Sequence, residues 1–154
     1  MTIYALSSGS GVSGIAVIRI SGKNTSNLLK LLTKDGIPRP RVATLKKLNN
    51  IKTSELIDQG IILWFPEPES YTGEDMAEIH VHGGKAVVQS MLDNLSTLKD
   101  CRLAEPGEFT KLAFQNGKMD LLKAESISDL ISAETEIQRL QALRVMQGSL
   151  SKTF

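Results

Sequence analysis

Helix breakers are distributed unevenly along this chain, and that constrains its fold more than any other feature. Glycine and proline punctuate the chain as far as Gly117, and neither then recurs before Gly148. Asp120 is a cap candidate for that uninterrupted stretch, which as one helix would be roughly 40 Å long at 1.5 Å per residue. Its apolar residues (Leu121, Leu122, Ile127, Leu130, Ile131, Ile137, Leu140, Leu143, Val145 and Met146) do not keep to one narrow face, so they need neighbours on more than one side. Residues 119–154 are therefore expected to be the first long helix of a helical domain, or a pairing surface for another chain. A separate domain is expected over residues 1–118.

That front part mixes two periodicities. Thr2 to Leu6 and Ile15 to Ile20, the latter rich in β-branched residues, predict strands around a Gly/Ser loop. Leu28, Leu29, Leu31 and Leu32 recur at helical spacing behind the cap candidates Asn24 to Ser26, and Gly36, Pro38 and Pro40 end the pattern. Strands are predicted again at Val42 to Leu48, Gly60 to Phe65 and Ala77 to His82, with an irregular loop from Pro66 to Asp75. Behind Gly83-Gly84, the positions Val87, Val88, Met91, Leu92, Leu95 and Leu98 predict an amphipathic helix. Pro106 suits the first position of a further helix, with Glu108 in the same turn and Gly117 as its stop. Strands and helices without regular alternation predict an α+β domain built on a mixed sheet.

Composition excludes several classes. With 41% apolar residues in 154, the chain is globular rather than disordered. At this length a domain buries roughly 70% of its unfolded surface, so one core suffices without disulfides or structural metal. Cys101 stands alone and fits a reducing compartment. The longest apolar run, Ile61 to Phe65, is far short of a membrane span of about 20 residues. No basic-then-apolar leader opens the chain, so the expectation is a cytoplasmic protein without membrane contact. Eighteen Lys and Arg against 17 Asp and Glu give a net charge of +1, which hides a segregation. Residues 21–53 carry Lys23, Lys30, Lys34, Arg39, Arg41, Lys46, Lys47 and Lys52 against Asp35 alone, an excess able to attract phosphates. Residues 54–80 hold seven carboxylates and no Lys or Arg. Two solvated faces of one domain would produce the same pattern.

Among candidate chemistries, Gly9-Ser10-Gly11-Val12-Ser13-Gly14 matches G-x-G-x-x-G, but a strand rather than a helix is predicted to follow, so no helix N-terminus meets a pyrophosphate. In an extended Ile15 to Ile20, Arg19 shares a face with Ile15 and Val17. Both faces of that strand are mostly apolar, so the arginine needs a carboxylate, an edge position or an anionic ligand. Glu78, His80 and His82 project from one face of their strand. They are ligand types suited to zinc or iron, but no second cluster completes a set, and no metal is expected. The alternative for Glu78 is to accept two parallel N–H bonds from a planar guanidine-like edge, such as a pterin offers. Lys118, after Gly117, either favours the negative end of the preceding helix or faces a ligand. Cys101 has no nearby histidine to make it a nucleophile.

Five motifs in order then resemble the N-terminal region of the MnmE (TrmE) family of tRNA-modification GTPases. They are Gly14-Ile-Ala-Val-Ile-Arg-Ile-Ser-Gly22, Phe65-Pro-Glu-Pro-Glu-Ser-Tyr-Thr-Gly-Glu-Asp75, His82-Gly-Gly84, Pro106-Gly-Glu-Phe-Thr110 and Asn116-Gly-Lys-Met-Asp-Leu-Leu-Lys-Ala-Glu125. The resemblance implies a folate-binding and dimerising α+β domain related to aminomethyltransferase-type folate modules, followed by a helical domain that carries an inserted GTPase domain. It implies a tetrahydrofolate derivative, 5-formyl- or methylene-tetrahydrofolate, as cofactor, with Arg19, Glu78 and Lys118 as its contacts. The loop Ser70 to Asp75 and the turn His82 to Gly84 are further pocket candidates. For the longer parent it implies GTP, Mg2+ and K+, a homodimer, and a flavoprotein partner, MnmG, with which an aminomethyl-type group is added to carbon 5 of the wobble uridine of tRNA. The chain holds no Walker A lysine motif, so it is expected to bind rather than catalyse, and no catalytic residue is assigned. Glu105 stands where the family pattern has Arg, and the loop Gly9 to Gly14 carries no basic residue. A rival reading is a cofactor-free RNA-binding module using the basic segment 21–53.

Overall fold

The computed structural model describes residues 1–7, 14–119 and 124–152, and within the last segment the side chains of 126–140. The loop from residue 8 to 13 and the cap candidate Asp120 lie outside the described residues. Six strands, β1 (Thr2–Leu6), β2 (Ile15–Ser21), β3 (Thr44–Asn49), β4 (Leu56–Phe65), β5 (Met76–His82) and β6 (Cys101–Leu103), form one mixed sheet in the order β3-β4-β5-β2-β1-β6. All pairings are antiparallel except β1 with β6. With helices α1 (Thr25–Thr33), α2 (Lys85–Ser96), α3 (Glu108–Gln115) and α4 (Ala124–Lys152), the architecture is α+β, as the mixed periodicities predict.

Alternation along the strands separates the two faces of the sheet. Ala16, Ile18 and Ile20 of β2 and Ala77, Ile79 and Val81 of β5 point into the main core, where they meet Leu28, Leu29 and Leu32 of α1 and Val88, Met91, Leu92 and Leu95 of α2. Burying a side chain of this size contributes roughly 1.5–3 kcal/mol, so this layer dominates stability. Ile3, Ala5 and Met76 face the other side, where Phe109 of α3 closes a smaller core.

Three boundaries differ from expectation, each for a tertiary reason. β4 begins at Leu56 rather than Gly60, because Lys47, Leu48 and Asn49 of β3 pair with Gln59, Asp58 and Leu56 to make a longer hairpin. The three residues of β6 are too few for a strand pattern, and they pair because Leu98 and Asp100 bring the chain back beside β1. α3 starts at Glu108, not at Pro106: Gly107 is left-handed (φ 70°), which ends any helical path from Pro106. A Cβ on Gly107 would lie 2.6 Å from Ile131 Cγ2, so the glycine also admits α4.

Contact between α4 and the domain is polar at its centre. Glu134 accepts hydrogen bonds from the N–H groups of Phe109 and Thr110 (3.0 and 3.1 Å), and Gln138 accepts one from Gly107 N–H (2.8 Å) while donating to the Glu105 carbonyl (3.1 Å). These are unpaired amides at the start of α3, capped from another helix because Gly107 has no side chain to do it. The helix runs on through Gly148 to Lys152, within the residues 119–154 expected to form a long helix.

Candidate functional site

The face of the sheet opposite the main core is arranged in cross-strand rows. Leu63 of β4, Glu78 of β5, Arg19 of β2 and Ala5 of β1 are consecutive neighbours in register. Arg19 Nη2 lies 3.8 Å from Glu78 Oε2, with both side chains 25% exposed. The guanidinium also sits 5.0 Å from the Tyr71 ring centre and 5.7 Å from that of Phe109, near enough for cation–π attraction. Its Nε is buried and has no hydrogen-bond partner among the described residues. Partnership with a carboxylate therefore explains how the strand tolerates an arginine, and it leaves one donor unused.

Lys118 reaches this region through a turn that its neighbours dictate. The N–H of Lys118 bonds to the Ala113 carbonyl (2.8 Å) and that of Gly117 to Phe114 (3.1 Å), with Gly117 left-handed at φ 73°. This is the Schellman ending of α3, which requires glycine at that place. Asn116 Nδ2 donates to the Thr72 carbonyl (2.6 Å), tying the turn to the loop between β4 and β5. Gly73 (φ 85°) is packed there so closely that a Cβ would lie 3.2 Å from Asn116 Cβ and 3.3 Å from Lys118 Cε.

Two cavities flank the Arg19–Glu78 pair and share the wall formed by Tyr71. One, of about 410 Å³, is lined by Arg41, Phe65, Glu69, Ser70, Tyr71, Met76, Glu78 and Lys118. The other, of about 300 Å³, lies under α4 and is lined by Arg19, Phe109, Thr110, Glu134, Gln138 and apolar residues of β1 and α4. The structure thus brings Glu78 and Lys118 to one cavity and Arg19 to its neighbour, with the ion pair between them. Tyr71, whose hydroxyl bonds Thr110 Oγ1 at 3.0 Å, belongs to the candidate loop Ser70 to Asp75, whereas Arg41 is a lining residue outside every candidate contact. Arg41 sits inside a basic run, and nothing in its spacing separates it from its neighbours.

Other candidates find structural roles. Ser21 donates to Glu74 Oε1 (3.0 Å) and pairs with Thr72 Oγ1 (2.8 Å), and Asp75 Oδ1 accepts the Glu67 N–H (2.8 Å). Much of the acidic stretch therefore builds its own loop. Glu78, His80 and His82 do share a face, but Asp58 draws His82 away: Nδ1 lies 2.8 Å from Oδ1, and the His82 N–H bonds Oδ2 at 2.9 Å. Among the described residues no group of three or more His, Cys, Asp or Glu is placed to hold a metal. Burial, with the Asp100 charge second, pushes the Cys101 thiol above its ordinary value, the direction that disfavours the thiolate. Of the basic segment, Lys46 pairs with Asp35 (3.2 Å) and Lys34 bonds Ser54. Glu105 lines neither cavity. No described helix is long and apolar enough to cross a membrane.

The mixed six-stranded sheet with its four helices is an α+β module in which Glu78 and Lys118 line one cavity and Arg19 lines its neighbour. The chain belongs to the family described as the GTP-binding protein TrmE N-terminus, which matches residues 2–118. It is 67% identical over its whole length to a tRNA modification GTPase MnmE of Pelagibacter ubique, covering 35% of that protein. It is 50% identical over 99% of its length to the mitochondrial 5-taurinomethyluridine-[tRNA] synthase subunit GTPB3 of Danio rerio, covering 30% of it. A mitochondrial tRNA modification GTPase of Dictyostelium discoideum is 46% identical over 99% of the chain, with 31% of that protein covered. The chain spans about a third of the length of these curated relatives.

Proposed function

We propose that this chain is the tetrahydrofolate-binding and dimerisation module of a tRNA-modifying GTPase. The observation that carries the reading is Glu78: a half-buried carboxylate in a cavity with Lys118, supported from behind by Arg19. A carboxylate held this way accepts two parallel N–H bonds from the amino-pyrimidinone edge of a pterin. Tyr71 and Phe65 offer aromatic walls for its flat ring, and Lys118 a cation for a carbonyl or carboxylate of the ligand. The cavity volume falls in the range of small-molecule sites, about 300–1,000 Å³. When bound, a reduced folate supplies a one-carbon unit. The residues of this chain bind and orient it, and none is assigned a catalytic step. The domain would then be related to aminomethyltransferase-type folate modules.

In the longer protein, assembled with MnmG in the cytoplasm, that unit would contribute to an aminomethyl-type group on carbon 5 of the wobble uridine, with GTP, Mg2+ and K+ belonging to the GTPase domain. Homodimerisation is supported by the uncovered part of the sheet, where Leu45, Ile61, His80 and Val17 form a row beside the Glu78 row. Leu45 (61% exposed), Ile61 (40%) and Ile15 (57%) leave an apolar patch there.

Calorimetric titration with 5-formyltetrahydrofolate tests the reading. Glu78→Ala removes the acceptor pair and is expected to weaken binding by about 2–4 kcal/mol, as for truncating one side of a charged hydrogen-bonded pair. Unchanged affinity in a folded variant would remove Glu78 from the site. If wild type binds no folate but binds tRNA with steep salt dependence, the RNA-binding reading of residues 21–53 takes its place.

A further inference from the structure

Arg41 stands on the rim of the Glu78 cavity and belongs to no motif. Its backbone is left-handed (φ 64°) and pinned by a hydrogen bond from its N–H to the Trp64 carbonyl (2.8 Å). Its guanidinium lies 5.5 Å from the centre of the Phe65 ring and donates from Nη2 to the Glu69 carbonyl. Stacking on a ring with one anchoring bond fixes the plane of the group in advance, which reduces the entropy lost when it meets a ligand. One bond uses one of five N–H donors. Among the described residues no carboxylate lies within ion-pair distance of Arg41. The residue is exposed, whereas Glu78 lies deeper in the same cavity. A ligand seated by a donor edge on Glu78 and extending outward therefore meets a preorganised, unpaired guanidinium at the mouth.

We propose that Arg41 is a binding residue for the carboxylate end of the ligand, the glutamate tail of a reduced folate, taken as a two-point contact by the guanidinium fork. The proposal rests on the folate reading and adds a second, charge-selective subsite to it. Arginine rather than lysine suits the place, because a point charge would neither stack on Phe65 nor grip both carboxylate oxygens.

The experiment compares two probes on the full 154-residue chain by calorimetry: 5-formyltetrahydrofolate, and the matching reduced pteroate that lacks the glutamate. Arg41→Ala is expected to weaken the tailed ligand by about tenfold and to leave the tail-less one within about twofold, whereas Glu78→Ala weakens both. Arg41→Lys, which retains charge without the fork, is expected to fall between wild type and Arg41→Ala on the tailed ligand alone. It also decides the matter should the alanine variant not fold. Equal losses on both probes, or none on either in a chain that binds folate, overturn the subsite and leave the folate reading intact. Failure of wild type to bind either probe overturns both.

Discussion

Glu134 is one of the residues through which α4 holds the N-terminal domain, and its removal measures its share of that attachment. Its carboxylate caps the first amides of α3, accepting from Phe109 at 3.0 Å and Thr110 at 3.1 Å, and both of those residues are buried. Replacement by Ala leaves two amides without an acceptor and takes a negative charge from the positive end of the helix. N-cap losses run at about 0.5–2 kcal/mol, and the helix-end charge adds about 0.3–1. The adjoining cavity of about 300 Å³ would admit water to the freed amides and offset part of this. A net loss of about 1–2 kcal/mol follows, equivalent to about 3–6 °C in the melting midpoint of a chain this size. Thermal and urea unfolding of Glu134→Ala, beside Glu134→Gln with its one retained acceptor and about half the loss, provides the assay. Glu136→Ala is the control, since its ion pair with Arg139 is fully exposed, and no shift is expected from it. Hydrogen exchange adds a local readout, with faster exchange expected at Phe109 and Thr110. A Glu134→Ala midpoint equal to that of the control, with amide protection unchanged, would refute the capping of α3 by Glu134.

Two further outcomes are expected. Arg102 binds Glu108 through two bonds (2.8 and 2.7 Å), and these, outweighing the opposite effect of burial, hold the Glu108 carboxyl below the usual carboxylate range. A depressed carboxyl contributes stability above its unfolded value and loses it as pH falls through the folded one. The stability gap between wild type and Glu108→Gln should therefore be full near neutrality, no more than about 1 kcal/mol given the partly exposed Arg102, and should close below about pH 4. A gap that persists at pH 3 in urea titrations would contradict this. For assembly, Ile61→Lys places a charge in the apolar row beside Leu45; light scattering should show a dimer weakened at least about tenfold, and an unaltered dimer would move the interface elsewhere.

How much of this was legible in the sequence depends on the range of the interaction. The face assignments of Arg19 and Glu78 followed from strict alternation in β2 and β5, a local property of strands. Their placement opposite one another is a matter of register between β2 and β5, where Arg19 pairs with Glu78 across helix α1 and a hairpin, and no local pattern carries it. β6 escaped notice because three residues cannot show a period, and its pairing is imposed by the return of the chain from α2. Pro106 misled because the left-handed Gly107 that overrides it serves a tertiary need, the approach of Ile131. Arg41 was hidden for the opposite reason: the sequence offered eight similar cations, and only the fold decides which of them meets the cavity.

The motifs divide into residues that face the cavities and residues that make those faces possible. In Ile18-Arg-Ile-Ser-Gly22 only Arg19 is turned towards ligand space. Ser21 bonds Thr72 and Glu74, and Gly22 allows β1 to pass, since a Cβ there would lie 2.6 Å from Thr2 Cα. Thr72-Gly-Glu-Asp75 is occupied with closing its own loop, and that closure places Tyr71 between the two cavities. In Asn116-Gly-Lys118 the first two residues set a turn and the third uses it. A continuous set of contacts results, from Glu134 on α4, through the amide of Thr110 and its hydroxyl to Tyr71, then to the Arg19 guanidinium and the Glu78 carboxylate. Of these five residues all but Tyr71 are buried or half-buried. The path from α4 to the carboxylate is thus made by packing between elements rather than by any single motif.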